Sequence, residues 1–174
     1  MDIDRAENHA SGLPIVRVRL ETDRVIGKEM VNSPEKAVEY IMREFGDLDR
    51  EVFMVLNLDV HMRPINLNIV SMGTLNQSIV HPRETFKASL LSNAFQIICI
   101  HNHPGTSGIP EPSEEDIAVT NRLTECGKIL GIEVADHLII GPDKRSYYSF
   151  RENAAINHGV KGIEPRDMAA EKHL

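Results

Sequence analysis

Residues Phe95 to Asp116 read FQIICIHNHPGTSGIPEPSEED, and the expected architecture follows from where this stretch changes character. Phe95 to Ile100 is a short apolar run rich in β-branched residues, which predicts a buried strand. Side chains alternate along an extended chain, so His101 and His103 are expected to project to the same side. A loop marked by proline and glycine follows, and Ser113-Glu114-Glu115-Asp116 then opens a helical pattern that brings a carboxylate back towards the histidines. Two imidazole nitrogens and one carboxylate oxygen leave a fourth tetrahedral position open, the ligand count of a catalytic zinc site with a bound water. The same letters admit a plainer reading. Ser113 and Asp116 nearly match a capping box, and histidines at a strand end often face solvent. Spacing alone leaves both readings open, and they are compatible, because a carboxylate has two oxygens.

Downstream, the helix from Ser113 is expected to reach about Leu130, with Ile117, Leu123 and Leu130 inward and Gly131 as its stop. Gly127 inside it costs about 1 kcal/mol against alanine. Ile132 to Ile140 predicts a further strand, interrupted by Asp136-His137. Gly141-Pro142-Asp143 then turns the chain into a last strand carrying Tyr147, Tyr148 and Phe150. Upstream, Ser33-Pro34-Glu35 is a helix start, followed by Ala37, Val38, Ile41, Met42 and Phe45 at helical spacing, with Gly46 as the stop. Glu51 stands at the entrance of an apolar strand that runs to Leu58, and Ile65, Leu67 and Ile69 form the returning strand of a hairpin. Ser78-Ile79-Val80 suggests a short strand, and His81-Pro82-Arg83-Glu84 opens a second helix with Phe86, Leu90 and Leu91 inward. Val16, Val18 and Leu20 alternate with Arg17 and Arg19 as an edge strand would. This order of elements predicts an α/β fold, a mixed sheet sandwiched between helices. Residues 34–150 would form its single domain, with an N-terminal extension over 1–33 and a C-terminal tail over 151–174.

A chain of 174 residues suits one core of ordinary size. Its 19 basic and 26 acidic side chains give a net charge of −7, opposite to the balance of a protein that coats nucleic acid. No apolar stretch is long enough for a membrane span and the N-terminus lacks the apolar core of a signal peptide, so a cytoplasmic location is expected. The two cysteines, Cys99 and Cys126, form no Cys-x-x-Cys pair. This excludes a zinc ribbon, a dithiol redox motif and the ligand set of the zinc deaminases.

Three blocks, SMGTLNQSIVHPRETFKASLLSNA, HNHPGTSGIPEPSEEDIAVTNRL and GIEVADHLIIG, closely resemble the RadC-like branch of the JAMM/MPN metalloprotease superfamily over residues 34–150. The resemblance implies a JAB/MPN sandwich of the cytidine-deaminase-like type. It also implies one zinc ion held by His101, His103 and Asp116, with Ser113 helping to hold a tetrahedral intermediate. Glu51 takes the place of the superfamily's general base by order of elements, with Glu84 as the alternative. Nine residues separate His103 from Ser113, two more than is usual in the family, and the Ser-Gly-Asp that commonly follows His-Pro is missing. Asp136 and His137 belong to the family pattern and suggest support behind the ligands, a carboxylate orienting a ligand histidine. His81, before a proline at a helix start, reads as structural, and His9, His61, His158 and His173 as turn or tail residues. The implied activity is metal-dependent hydrolysis of a peptide or isopeptide bond. The alternative is a non-catalytic accessory of DNA repair or mobile elements. A third reading, a structural MPN-like module without metal, typically lacks the full ligand set. Longer RadC-like proteins carry an N-terminal helix-hairpin-helix region. Residues 1–33 lack its glycine-centred pattern, so direct nucleic-acid binding is not expected; the substrate and the oligomeric state are not given.

Overall fold

The computed structural model describes residues 16–23, 25, 30–45, 48, 50–73, 80–104 and 108–153. The elements follow in the order α1 (Pro34–Phe45), β1 (Val52–Leu58), β2 (Pro64–Met72), α2 (Pro82–Leu91), β3 (Gln96–Asn102), α3 (Glu114–Leu130), β4 (Glu133–Ile140) and β5 (Tyr147–Ser149). The five strands form one mixed sheet in the order β2-β1-β3-β4-β5. Only β3 and β4 pair in parallel, and α3 is the crossover that joins them.

The sheet buries both faces, which is why β1 and β3 read as continuous apolar runs and why every residue of each is buried. On one face, Val52, Met54, Leu56 and Leu58 of β1 with Ile98 and Ile100 of β3 pack against Ala37, Val38 and Ile41 of α1. On the other, Phe53, Val55, Ile97 and Cys99 meet Phe86 of α2 and Leu123 of α3. The molecule is therefore a three-layer sandwich in one domain, with α1 on one side and the other two helices opposite.

One irregularity matters for the site. Along the β3–β4 ladder Ile97 pairs with Val134 but Ile98 pairs with Asp136, so Ala135 is an extra residue, a β-bulge. A regular strand would place Asp136 on the face of Val134. The bulge gives that face to His137 instead. Asp136 holds the distortion in place, its Oδ1 accepting from the amides of His137 (2.7 Å) and Arg151 (3.0 Å) and its Oδ2 from the Ser149 hydroxyl (2.7 Å).

Several expectations are corrected here. Residues 16–20 form no strand and are exposed, since alternation alone supplies no ladder partner. Leu90 and Leu91 are exposed at the end of α2, whose inward positions are Thr85, Phe86, Ala88 and Ser89. Leu130 is likewise exposed and Ile117 only half-buried, since α3 packs through one narrow stripe around Thr120, Leu123 and Gly127. Phe150 lies just past β5, buried, with its amide bonded to the His137 carbonyl (3.0 Å). His81, by contrast, has the structural role expected of it: it is the N-cap of α2, its Nδ1 accepting from the Arg83 amide at 3.1 Å. Gly46, Ser78, Ile79 and most of the C-terminal tail lie outside the described residues.

Candidate metal centre

The site forms where β3 ends and α3 begins. His101 is the penultimate residue of β3 and 2 % exposed; it shares a face with Phe53, its ladder partner, and the two rings stack with centroids 6.1 Å apart. His103 follows just beyond the strand and returns to the same side, its Nε2 2.9 Å from that of His101. Asp116 arrives from the first turn of α3. The capping box is fully formed: Ser113 Oγ accepts from the Asp116 amide (3.1 Å), while Asp116 Oδ2 accepts from the Ser113 amide and hydroxyl, both at 2.7 Å. That leaves Oδ1 turned to the histidines, 3.1 Å from His101 Nε2, while Oδ2 lies 3.6 Å from His103 Nε2. Asp116 thus caps the helix through Oδ2 while Oδ1 faces His101, and the capping oxygen is also the one that approaches His103. The longer His103–Ser113 loop does not prevent this convergence.

Among the described residues, ligand atoms of His101, His103 and Asp116 all lie within 4.8 Å of one another, a group that can hold a metal ion. Tetrahedral bonds of roughly 2.0–2.1 Å place neighbouring ligand atoms about 3.3 Å apart. The 2.9 Å between the two Nε2 atoms and the 3.1 Å from His101 Nε2 to Asp116 Oδ1 are close to that value, and His103 Nε2 lies 3.6 Å from the other oxygen, Oδ2. Two imidazole nitrogens and a carboxylate turned towards one another form a donor set that fits a divalent cation. Its chemistry, two nitrogens and one oxygen, suits zinc.

The electrostatics agree. Burial pushes the Asp116 carboxyl up, but the adjoining His101, then the Ser113 hydroxyl and amide, outweigh it and hold the group well below the ordinary carboxylate range. Burial, then the neighbouring His101, lowers His103, against the opposing pull of the Asp116 and Glu51 carboxylates. His137, wholly enclosed, is held far below the usual imidazole range, chiefly by burial.

Glu51 lies at the start of β1. Phe53 pairs with His101, so continuing the register by two residues sets Glu51 across from His103, and its charge acts on that ring. Glu84 is elsewhere, an exposed residue of α2 paired with Lys87. Ser113 stands beside the Asp116 carboxylate and donates its hydroxyl hydrogen to it.

Two further residues support the ligands. His137 Nε2 lies 2.8 Å from His101 Nδ1, and the His137 ring is stacked on Phe150 (5.0 Å) and edge-on to Phe53 (5.5 Å). Thr120 touches His137 Nδ1 with its hydroxyl at 2.6 Å. The partner behind His101 is therefore an imidazole, and the Asp136 carboxylate is turned to Ser149 and Arg151 instead. Thr120 escaped sequence reasoning. It lies one helical turn after Asp116, a spacing that signals a shared face but no particular partner. Asn102, between the two histidines, faces the other way. Its Oδ1 accepts from the Val52 amide and its Nδ2 donates to the Arg50 carbonyl, both at 2.9 Å, gripping the chain on either side of Glu51.

A family model, the RadC-like JAB domain, matches residues 31–155. The chain belongs to the RadC-like JAB domain family. Its curated relatives include a UPF0758 protein of Geobacillus sp. (strain WCH70), 45 % identical over 130 residues, and one of Bacillus cereus (strain B4264), 48 % identical over 139. These alignments cover 75 % and 80 % of this chain, but only 56 % and 59 % of the relatives, so the RadC-like chain spans a little over half their length. No helix among the described residues is long and apolar enough to cross a membrane.

Proposed function

We propose that this RadC-like domain is a zinc-dependent hydrolase of the JAMM type, acting on a peptide or isopeptide bond in the cytoplasm. One observation carries the proposal: two imidazoles from a strand end and a carboxylate from a helix start converge, with ligand atoms within 4.8 Å of one another, and Glu51 stands across from His103. His101, His103 and Asp116 would hold the ion. When bound, zinc supplies a Lewis acid for the scissile carbonyl and brings the pKa of a coordinated water near neutrality. The Glu51 carboxylate takes the proton from the attacking water and returns it to the leaving amine. The Ser113 hydroxyl, released from Asp116, donates to the oxyanion that develops on the carbonyl. Direct nucleic-acid binding is no part of the proposal, since the chain's net charge of −7 opposes phosphate contact.

The test is metal analysis of the purified chain, zinc affinity by competition with a chromophoric chelator, and hydrolysis of a pool of fluorogenic peptides. The expected outcome for Glu51→Gln is retained zinc with hydrolysis reduced by about 10²–10⁴-fold. A chain that takes up no zinc in any preparation overturns the proposal.

A further inference from the structure

Behind His101 runs a line of buried hydrogen bonds whose proton positions follow from the chemistry of its members. The Thr120 hydroxyl has one hydrogen and two partners, the Asp116 carbonyl at 2.6 Å and His137 Nδ1 at 2.6 Å. A carbonyl can only accept, so the hydroxyl donates there. The same oxygen must then accept from His137, which places the ring's hydrogen on Nδ1. His137 is 1 % exposed and enclosed by Phe53 and Phe150, so a neutral ring with a single N–H is the form this space admits. Its Nε2 consequently carries a lone pair. His101 Nδ1, 2.8 Å away, must be the donor to it. The Asp116 carboxylate, 3.1 Å from Nε2, competes for the one hydrogen of a neutral His101; the chain from Thr120 through His137 holds it on Nδ1 and leaves the lone pair on Nε2, the nitrogen that faces His103 and Asp116.

We propose that the Thr120 hydroxyl, acting through His137, sets the tautomer of His101 and so presents the Nε2 lone pair of His101 to a divalent cation. Thr120 and His137 are positioning residues. The hydrogen bond made by one ring nitrogen decides which state the other is in, and Thr120 starts that ordering from the backbone of Asp116. The first turn of α3 therefore supplies one ligand outright and fixes the proton of another. The part of the proposal that concerns the cation rests on the metal reading of the site; the tautomers do not.

The experiment uses the full chain. Long-range proton–nitrogen NMR correlations of the imidazoles, recorded without metal and above the histidine titration range, are expected to show His137 and His101 both with hydrogen on Nδ1. Thr120→Val, close in shape but without a hydroxyl, is expected to shift both rings towards the Nε2–H form and to weaken zinc binding by about 10–100-fold, the usual effect of losing such support. Thr120→Ser is expected to restore both readouts. A wild-type spectrum with hydrogen on Nε2 of either ring overturns the proposal, and that measurement stands even if Thr120→Val does not fold. Unchanged tautomers and zinc affinity in Thr120→Val overturn it as well. Wild-type rings in the expected tautomers on a chain that takes up no zinc support the ordering and overturn the metal reading, so the two failures are distinguishable.

Discussion

Asn102 shows how tightly single side chains are used here. It sits between His101 and His103, yet alternation turns it to the opposite face, where its amide completes the ladder that β1 has not yet begun. Both of its bonds are made to main chain flanking Glu51. Asn102→Ala is expected to lower stability by about 1–3 kcal/mol in urea denaturation, because the buried Val52 amide loses its acceptor. A destabilisation within a few tenths of a kcal/mol of zero would show that water replaces the amide. Around it, Asp116 has the same economy, one carboxylate capping α3 through Oδ2 and facing His101 through Oδ1.

At the level of elements, Gly127 and the bulge at Ala135 explain what could and could not be read in advance. Propensity alone treats Gly127 as a weakness that alanine would mend by about 1 kcal/mol. In the fold, a Cβ there would stand 2.4 Å from the Ile132 carbonyl oxygen, where the chain turns back through Gly131 in the left-handed region (φ 69°) to bond the Gly127 carbonyl. Gly127→Ala is therefore expected to lower the thermal midpoint, opposite in sign to the propensity scale; a raised midpoint would contradict the close approach. The order of helices and strands was legible because apolar runs, proline starts and glycine stops mark it locally. The site was legible to the extent that His101 and His103 alternate on a strand and Asp116 opens a helix. His137 was not placed, since a regular strand from Val134 assigns Asp136 to its face, and a single extra residue reverses that assignment. Nor do Val16, Val18 and Leu20, whose alternation is real, disclose that no sheet edge receives them.

For the molecule as a whole, the dependence of stability on pH carries opposed contributions. Asp116, held below the ordinary carboxylate range, contributes stability that is present above its unfolded pKa and lost as pH falls through the folded value. Asp136 works the other way. Burial raises its pKa against the bonds from Ser149, Arg151 and His137, so the stability it contributes is complete below the unfolded value and lost as pH rises through the folded one. Asp136→Asn keeps an acceptor for the two amides and removes the ionisation. Relative to this variant, the wild-type chain is expected to lose stability as pH rises from about 4, with the two converging below it. Parallel curves in denaturant titrations across that range would show that Asp136 stays charged in the fold.

The placement of α3 has one more consequence. Its N-terminus points at the cluster of His101, His103 and Asp116, and aligned peptide dipoles give such an end roughly half a positive charge. A cation there would sit against the field of the helix, in a spot better suited to a phosphate than to zinc. Glu114, Glu115 and Asp116 all fall within that first turn. Their negative charge opposes that field, so the acidic opening of α3 offsets what the helix end would otherwise hold against a positive ion.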